Sequence, residues 1–449
     1  MSSEQSIGSD GLQRSPNHSS DSSSDNSGRD FIDEFVESPE KEESPNKKRV
    51  GRFSTIMNLL NTLLGAGILT VPSSFTNAGM ILSICLLFFC GILSYISTVQ
   101  VIKLQLDTES DGFDSLTYKI AGKTGSILYS IMNLIFLILA LLSFLVLGAD
   151  MIVSWFALAK VNASKTLFRA MIVLVYAFIL PIPLTLLRDI SVLSYFSTAT
   201  VLFIFTFVIG MIIKGSIFLK KNKKIESTCI MSKLDLQLFY AISIYLSVFS
   251  LPSEAPPIIH EYNSNYRKRK IVAGIAILFC FIFVVIPSIF AYLTYGSSTA
   301  KNVLNSFPDD DVFIVILRIL FFLIVSFSYP VIAQAVMCSL SQLIYHNNYA
   351  NSLPTGKRTI ILIIANSIPV IIGMFLPQAK PAIGISGSLG GCIVDFVFPP
   401  VLWVMYYKPK WNLETILCIL FAIFGFVTAG VSTYESVLDA ISEFKTVKF

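Results

Sequence analysis

Charge is scarce in this chain of 449 residues: Asp, Glu, Lys and Arg together make up 14% of it, against about a quarter in ordinary soluble domains. That scarcity excludes a solvated surface over most of the chain, and no nucleic acid partner is expected. Histidine is scarcer still. His18, His260 and His346 are far apart in sequence. The seven cysteines contain no CxxC pair, and six of them lie in apolar runs as small apolar side chains. Only Cys229 lies in a loop, so no disulfide between loops is available within the chain. No metal centre or cofactor is therefore expected, beyond a sodium ion as a candidate. No paired histidines and no nucleophile constellation occur at membrane depth, so the chain does not read as an enzyme. Repeated glycine-rich pore loops are also missing, which disfavours a channel. No h-region follows Met1. The first apolar run is thus expected to act as the insertion signal and to leave the preceding tail in the cytosol.

What is present in abundance is apolar length. Hydrophobic residues make up 54% of the chain and the mean hydropathy is +0.70. Eleven apolar runs occur at roughly 53–74, 79–102, 127–157, 168–187, 191–214, 237–259, 271–294, 312–343, 359–377, 382–406 and 413–433. Most are near the ~20 residues that a spanning helix needs. Buried helices of a large soluble protein are the alternative. Runs such as 127–147 and 271–293 are too long and too uniformly apolar for it. The expectation is an all-α integral membrane protein of about eleven transmembrane helices, with the lipid bilayer as its solvent.

Residues 1–50 are a different material, with 13 Ser, 11 acidic and 6 basic residues. Their net charge of −5 leaves about +9 on the rest of a +4 chain. Such a composition implies a disordered cytosolic tail. Ser15-Pro, Ser38-Pro and Ser44-Pro are candidate phosphorylation sites, and Phe31 to Val36 a candidate docking turn. Regulatory proteins that bind the tail are candidate partners. The membrane-spanning body is expected over 51–435 and a short C-terminal tail over 436–449. With the tail inside, 16 Lys and Arg face the cytosol and 13 face outward. This weak bias is spoiled by six lysines over 214–233 and supported by Arg267–Lys270. Asn162-Ala-Ser164 is a glycosylation sequon in a short loop assigned outward. The plasma membrane and a vacuolar or lysosomal membrane both remain open.

Two of the apolar runs are interrupted. Run 1 reads Asn58-Leu-Leu-Asn61-Thr-Leu-Leu64-Gly65-Ala66-Gly67-Ile68 and continues to Pro72. Run 6 reads Phe249-Ser250-Leu251-Pro252-Ser253-Glu254-Ala255-Pro256-Pro257. Hydrocarbon offers no replacement partner for a backbone group, so a spanning helix normally keeps every hydrogen bond internal. Glycine loosens those bonds and proline removes them. Freed amides suit a carboxylate, and freed carbonyls suit a cation. Close helix packing through Gly65 and Gly67 is the bland alternative for run 1. For run 6 the alternative is a helix ending at Leu251 with Glu254 in water. Run 8 carries Ser326, Ser328 and Pro330; its hydroxyls either face a cation or bond back to the preceding turn. Run 10 opens with Gly384, Ser386, Gly387, Ser388, Gly390 and Gly391, a small-residue face that permits close helix approach. Asp150 and Asp395 are carboxylates at membrane depth: proton carriers, anchors for an amine, or structural acceptors.

At these residues the chain resembles the amino acid/auxin permease family, nearest its sodium-coupled neutral amino acid transporters and the vacuolar amino acid transporters. Asn58 to Leu69 looks like the family's NLxNxxxGxGIL signature. Ser326-Phe-Ser328-Tyr-Pro330, Pro257 to Glu261, and Gly387 through Pro400 are similar to its further motifs. The resemblance covers roughly 50–435. It implies the five-plus-five inverted repeat of the leucine-transporter type with one extra helix. It also implies a cation site at Asn61, Ser326 and Ser328 with carbonyls near Leu64 and Gly67. The amino acid site would take Gly65, Ala66, Gly67, Ile68, Phe249, Ser250, Leu251 and Glu254. Pro252 stands where the sodium-coupled branch often has histidine, and serines stand at 326 and 328 where it tends to have threonines. Asp395 stands where an apolar residue is usual. Sodium and proton are therefore both open as coupling ion. The implied function is secondary active amino acid transport by alternating access. The alternative is an amino-acid-sensing receptor that signals through the N-terminal tail without significant flux.

Overall fold

The computed structural model describes residues 50–161, 166–186, 191–222, 235–345, 350–408 and 412–446. The expectations for the serine-rich tail, the sequon at Asn162 and the loop cysteine at 229 lie outside these residues. Among the described residues every regular element is a helix. Spans 2 to 5 are Met80–Thr108, Phe113–Leu158, Thr166–Thr185 and Ala199–Lys220; spans 7 to 9 are Tyr266–Tyr295, Val312–Tyr345 and Thr355–Phe375. Spans 10 and 11 are Lys380–Tyr407 and Leu413–Thr446. Span 1 is a bent pair, Arg52–Leu63 and Gly67–Ala78.

Span 6 falls short of a full crossing as a single helix. Its first half is Gln237–Val248, and a second, short half, Ala255–His260, follows after a break. Pro252, Pro256 and Pro257 account for this, because each deletes a backbone donor within one short stretch. The count of eleven therefore stands only if the two halves are taken together.

Three further details depart from a simple reading of the apolar runs. Span 3 begins at Phe113, fourteen residues before the apolar run, and kinks at Gly122, whose φ of 70° is left-handed. Span 8 stays helical through Pro330, so the proline does not open the helix there. Span 11 continues to Thr446, through most of what reads as a C-terminal tail. The extension is tied down from the side: Tyr240 Oη donates to Asp439 (2.8 Å), and Lys301 bridges Asp439 (2.7 Å) and Glu443 (2.6 Å).

The interior is one large apolar cluster that includes Leu59, Leu69, Phe75, Tyr245, Phe249, Phe321 and Tyr329. The outer surface is apolar as well. Leu167, Ile179, Leu202 and Phe426 are each more than 60% exposed. A water-facing protein rarely shows so much contiguous apolar surface, whereas lipid requires it. The molecule is a multi-pass membrane protein.

The connection between spans 7 and 8 is fastened by one buried charge. Arg318, 1% exposed, donates to Asp309 Oδ1 (2.8 Å) and to the carbonyls of Leu304 (3.0 Å) and Phe307 (3.4 Å). Arg318→Met should destabilise the fold by about 1–3 kcal/mol, since it orphans the Leu304 and Phe307 carbonyls, while the half-exposed Asp309 keeps water as a partner. Thermal unfolding in detergent checks this. An unchanged midpoint would show that the connection is held by other contacts.

Candidate functional site

The first half of span 1 ends because Leu64 leaves helical geometry (φ −86°, ψ 62°). Its N–H still reaches Leu60 O (2.8 Å), and Gly65 N–H closes a tight turn onto Leu63 O (3.0 Å). The second half restarts at Gly67 with the axis turned by 51°. Among the described residues no backbone acceptor is found for the N–H groups of Ala66, Gly67 and Ile68. These donors form the positive end of the new half-helix. A Cβ at Gly67 would run into Val248 of span 6, whereas one at Gly65 would only touch the Phe144 ring at 3.4 Å. Gly67 is thus a packing requirement between the two broken spans.

Span 6 is broken from Phe249 to Glu254, and side chains of other spans take up its loose groups. Ser94 Oγ of span 2 donates to Phe249 O (2.7 Å), and Gln105 Nε2 donates to Pro256 O (3.0 Å). From span 10, Asp395 accepts the Ser253 N–H (2.7 Å) and the Ser250 hydroxyl. Ser97 Oγ in turn donates to the Asp395 carbonyl. Ser94, Ser97 and Gln105 share one face of span 2, which supports the break along its length.

The two breaks face one cavity of about 270 Å³, near the ~300 Å³ at which small-molecule pockets begin. Of the residues singled out in the sequence, Asn61, Gly65, Ala66, Gly67, Ser250, Glu254 and Ser328 line it together. Leu64, Ile68, Phe249 and Leu251 do not: all four are buried to 1% exposure or less and pack behind the breaks. Ser326 is turned away as well. Its hydroxyl donates to Phe322 O (2.6 Å) and lies 2.9 Å from Tyr176 Oη. The physical reason is the unbroken helix through Pro330, which puts positions 326 and 328 on different faces. What the proline does remove is the helical donor for the Ser326 carbonyl, four residues earlier.

The three membrane-depth carboxylates separate by their partners. Asp150 pairs with Arg169 (2.6 Å), which also donates to Leu376 O (2.6 Å). It lines a second, smaller cavity of about 140 Å³ with Lys301, Asn302 and Lys380. Asp395 sits behind the span-6 break as its hydrogen-bond acceptor. Among the described residues, Glu254 is the one carboxylate of the three that lines the main cavity, and no Lys, Arg or His joins it there.

Span 3 supplies the wall that the motifs missed. Phe136, Ala140, Ser143 and Phe144 line the cavity at helical spacing, joined by Ser247 and by Ser386 of span 10. The signal in the sequence was this 4–3–1 spacing within a long apolar run, easily read as ordinary core. Span 10 approaches closely because it is wound as a π-helix over Ser386–Val397. A Cβ at Gly387 would strike Ser243 O, and one at Gly390 would strike Phe136.

Two broken spans that meet at one cavity agree with the sequence relationships. A model of the transmembrane amino acid transporter proteins matches residues 48–438. The chain belongs to this transmembrane amino acid transporter family. It is 24% identical over 433 residues to the sodium-coupled neutral amino acid symporter 2 of Danio rerio, covering 90% of this chain and 84% of that protein. It is 21% identical over 401 residues to solute carrier family 38 member 10 of Mus musculus, covering 86% of this chain but only 36% of that longer protein. Among solved structures, it resembles MhsT in complex with L-phenylalanine, with a TM-score of 0.53, 11% identity, and coverage of 87% of this chain and 100% of the other. It also resembles a manganese transporter from Eremococcus coleocola, with a TM-score of 0.59, 12% identity, and coverage of 88% and 92%. At such identities these likenesses speak for the fold alone, which is of the leucine-transporter type.

The two glycines of span 1 should behave differently. Gly67→Ala should destabilise the transporter by about 1–3 kcal/mol through overpacking against Val248. Gly65→Ala should stay within about 0.5 kcal/mol. Unfolding midpoints of the two variants in detergent test the difference, and equal midpoints would contradict the close approach at Gly67.

Proposed function

We propose that this family member is a secondary active amino acid transporter that works by alternating access, with the cavity between spans 1 and 6 as its substrate site. The observation that carries the reading is that both helix breaks open onto the same space. The α-carboxylate would meet the N–H groups of Ala66 and Gly67 at the positive end of the half-helix. The ammonium would meet span 6. The Phe249 and Leu251 carbonyls already accept bonds, from Ser94 and from Glu254 and Ala255, which leaves the Ser250 carbonyl for the substrate. Phe136, Phe144 and Val331 would face its side chain.

Hydrogen bonds within each group of spans support a bundle that rocks against a scaffold. Span 2 is tied to span 6 through Ser94 and Gln105. Span 4 is tied to span 8 through Tyr176–Ser326 and to the end of span 9 through Arg169, and Tyr329 of span 8 donates to Asn366 of span 9 (2.7 Å). Below the breaks the cavity continues along Thr62, Pro257, Ile258 and Ala335. With the tail in the cytosol as proposed, that side of the cavity would face the cytosol. Asn61 and Ser328 offer hard oxygen ligands to a sodium ion, but the Ser326 hydroxyl is already engaged. The driving cation is therefore a sodium ion or a proton.

Proteoliposomes with a panel of amino acids, driven by a sodium or a proton gradient, test the reading. Saturable flux of at least one amino acid under one of the gradients is expected. Binding with no flux under either would replace transport with the sensing-receptor reading.

A further inference from the structure

We infer that Glu254 carries the coupling proton, so that one proton crosses with each amino acid. This rests on the transport reading of the cavity and goes beyond it in naming the ion and its seat. Glu254 caps the start of the second half of span 6, between the break and Pro256-Pro257. Its backbone is fixed, with its N–H donating to Leu251 O (3.1 Å). Its carboxylate is not: among the described residues no hydrogen bond or ion pair is found for it, although it lines the cavity. The other two membrane-depth carboxylates of the sequence are spoken for, Asp150 by Arg169 and Asp395 by Ser250 and Ser253.

Among the described residues, the charges found to act on Glu254 are acidic. Asp395 acts on it from span 10 and Asp114 from the start of span 3. Tyr129 of span 3 lies within its field, and the Asp114 carboxylate accepts from Ser130 (3.2 Å). From span 2, Gln105 donates to Pro256 O and accepts from Arg269 (3.3 Å). Span 1 presents Asn61 and Thr62, and span 8 presents Ser328; neither brings a cation.

A zwitterionic amino acid is neutral overall, so it leaves the single negative charge of the cavity in place. When the cavity closes on both sides, that charge would be stranded in a low-dielectric site, which costs far more than a neutral carboxyl group. A proton removes the charge without needing the shell of oxygen ligands that a metal ion demands. The cycle balances: the carboxylate takes a proton from water on one side, crosses as the neutral acid while the substrate displaces water from the cavity, and returns the proton to water on the other side. On the return the emptied cavity of about 270 Å³ would hold water that solvates the ionised carboxylate.

The test counts protons per amino acid in weakly buffered proteoliposomes, with a pH dye and a radiolabelled amino acid in the same preparation. Wild type should carry about one proton per amino acid, E254Q close to none on whatever flux remains, and E254D about one. If E254Q carries no flux, proton uptake on amino acid binding in detergent replaces the count, with about one proton per amino acid bound for wild type and none for E254Q. A ratio near one in E254Q by either measure overturns the inference. So does a wild-type ratio of zero with a sodium flux in its place. An absence of any amino acid flux in wild type would instead remove the transport reading beneath it.

Discussion

A helix broken inside hydrocarbon must have its loose backbone groups satisfied by neighbouring spans, and here Asp395 is the centre of that support. One carboxylate group of span 10 accepts both the Ser253 N–H and the Ser250 hydroxyl, while Ser97 of span 2 fastens its own carbonyl. Lipid cannot supply such partners, so the break exists only where spans 2 and 10 press against it. The glycines of span 10 follow from the same demand. At Gly387 the backbone of span 10 comes so near Ser243 O that no side chain fits between them. The open cavity is thus a by-product of tight packing on its far side.

The same constraint divides labour among the spans. Spans 2 and 6 share side-chain-to-backbone bonds, and spans 4, 8 and 9 share others. Span 10 joins span 6 to span 3: Asp395 holds span 6, and the Ser386 hydroxyl donates to Phe136 O of span 3 (3.1 Å). This segment is π-wound, its hydrogen bonds spanning five residues instead of four, a winding frequent at functional sites.

Much of this was legible in the sequence because hydrocarbon leaves few choices. Gly65, Gly67, Pro252 and Pro256 can interrupt a spanning helix only at a place with other partners, so the two breaks could be read directly. The apolar runs located the spans well, apart from the early start of span 3 and the late end of span 11. Those two run on in residues that are amphipathic rather than apolar, and Asp439 and Glu443 are held by Lys301 instead of by lipid. Ser326 shows what a motif cannot reveal. It stands two residues from Ser328 in a segment ending in proline, yet the helix continues and sends the two hydroxyls to different faces. Asp150, Asp395 and Glu254 looked alike as buried acids. Only their partners from spans far away in sequence, Arg169 for one and the span-6 backbone for another, tell them apart. The aromatic wall at Phe136 and Phe144 went unnoticed for a related reason, since an apolar lining residue and an apolar core residue look the same in sequence.

The central claim is that spans 1 and 6 contribute two halves of one binding site. Substrate protection of single cysteines measures it most directly, with Ala66→Cys on span 1 and Ser250→Cys on span 6, each in a background without other cysteines. An amino acid that the protein binds should block thiol labelling at both positions with the same half-maximal concentration. Protection at one position only, or at two different concentrations, would mean that the two breaks do not form a common site.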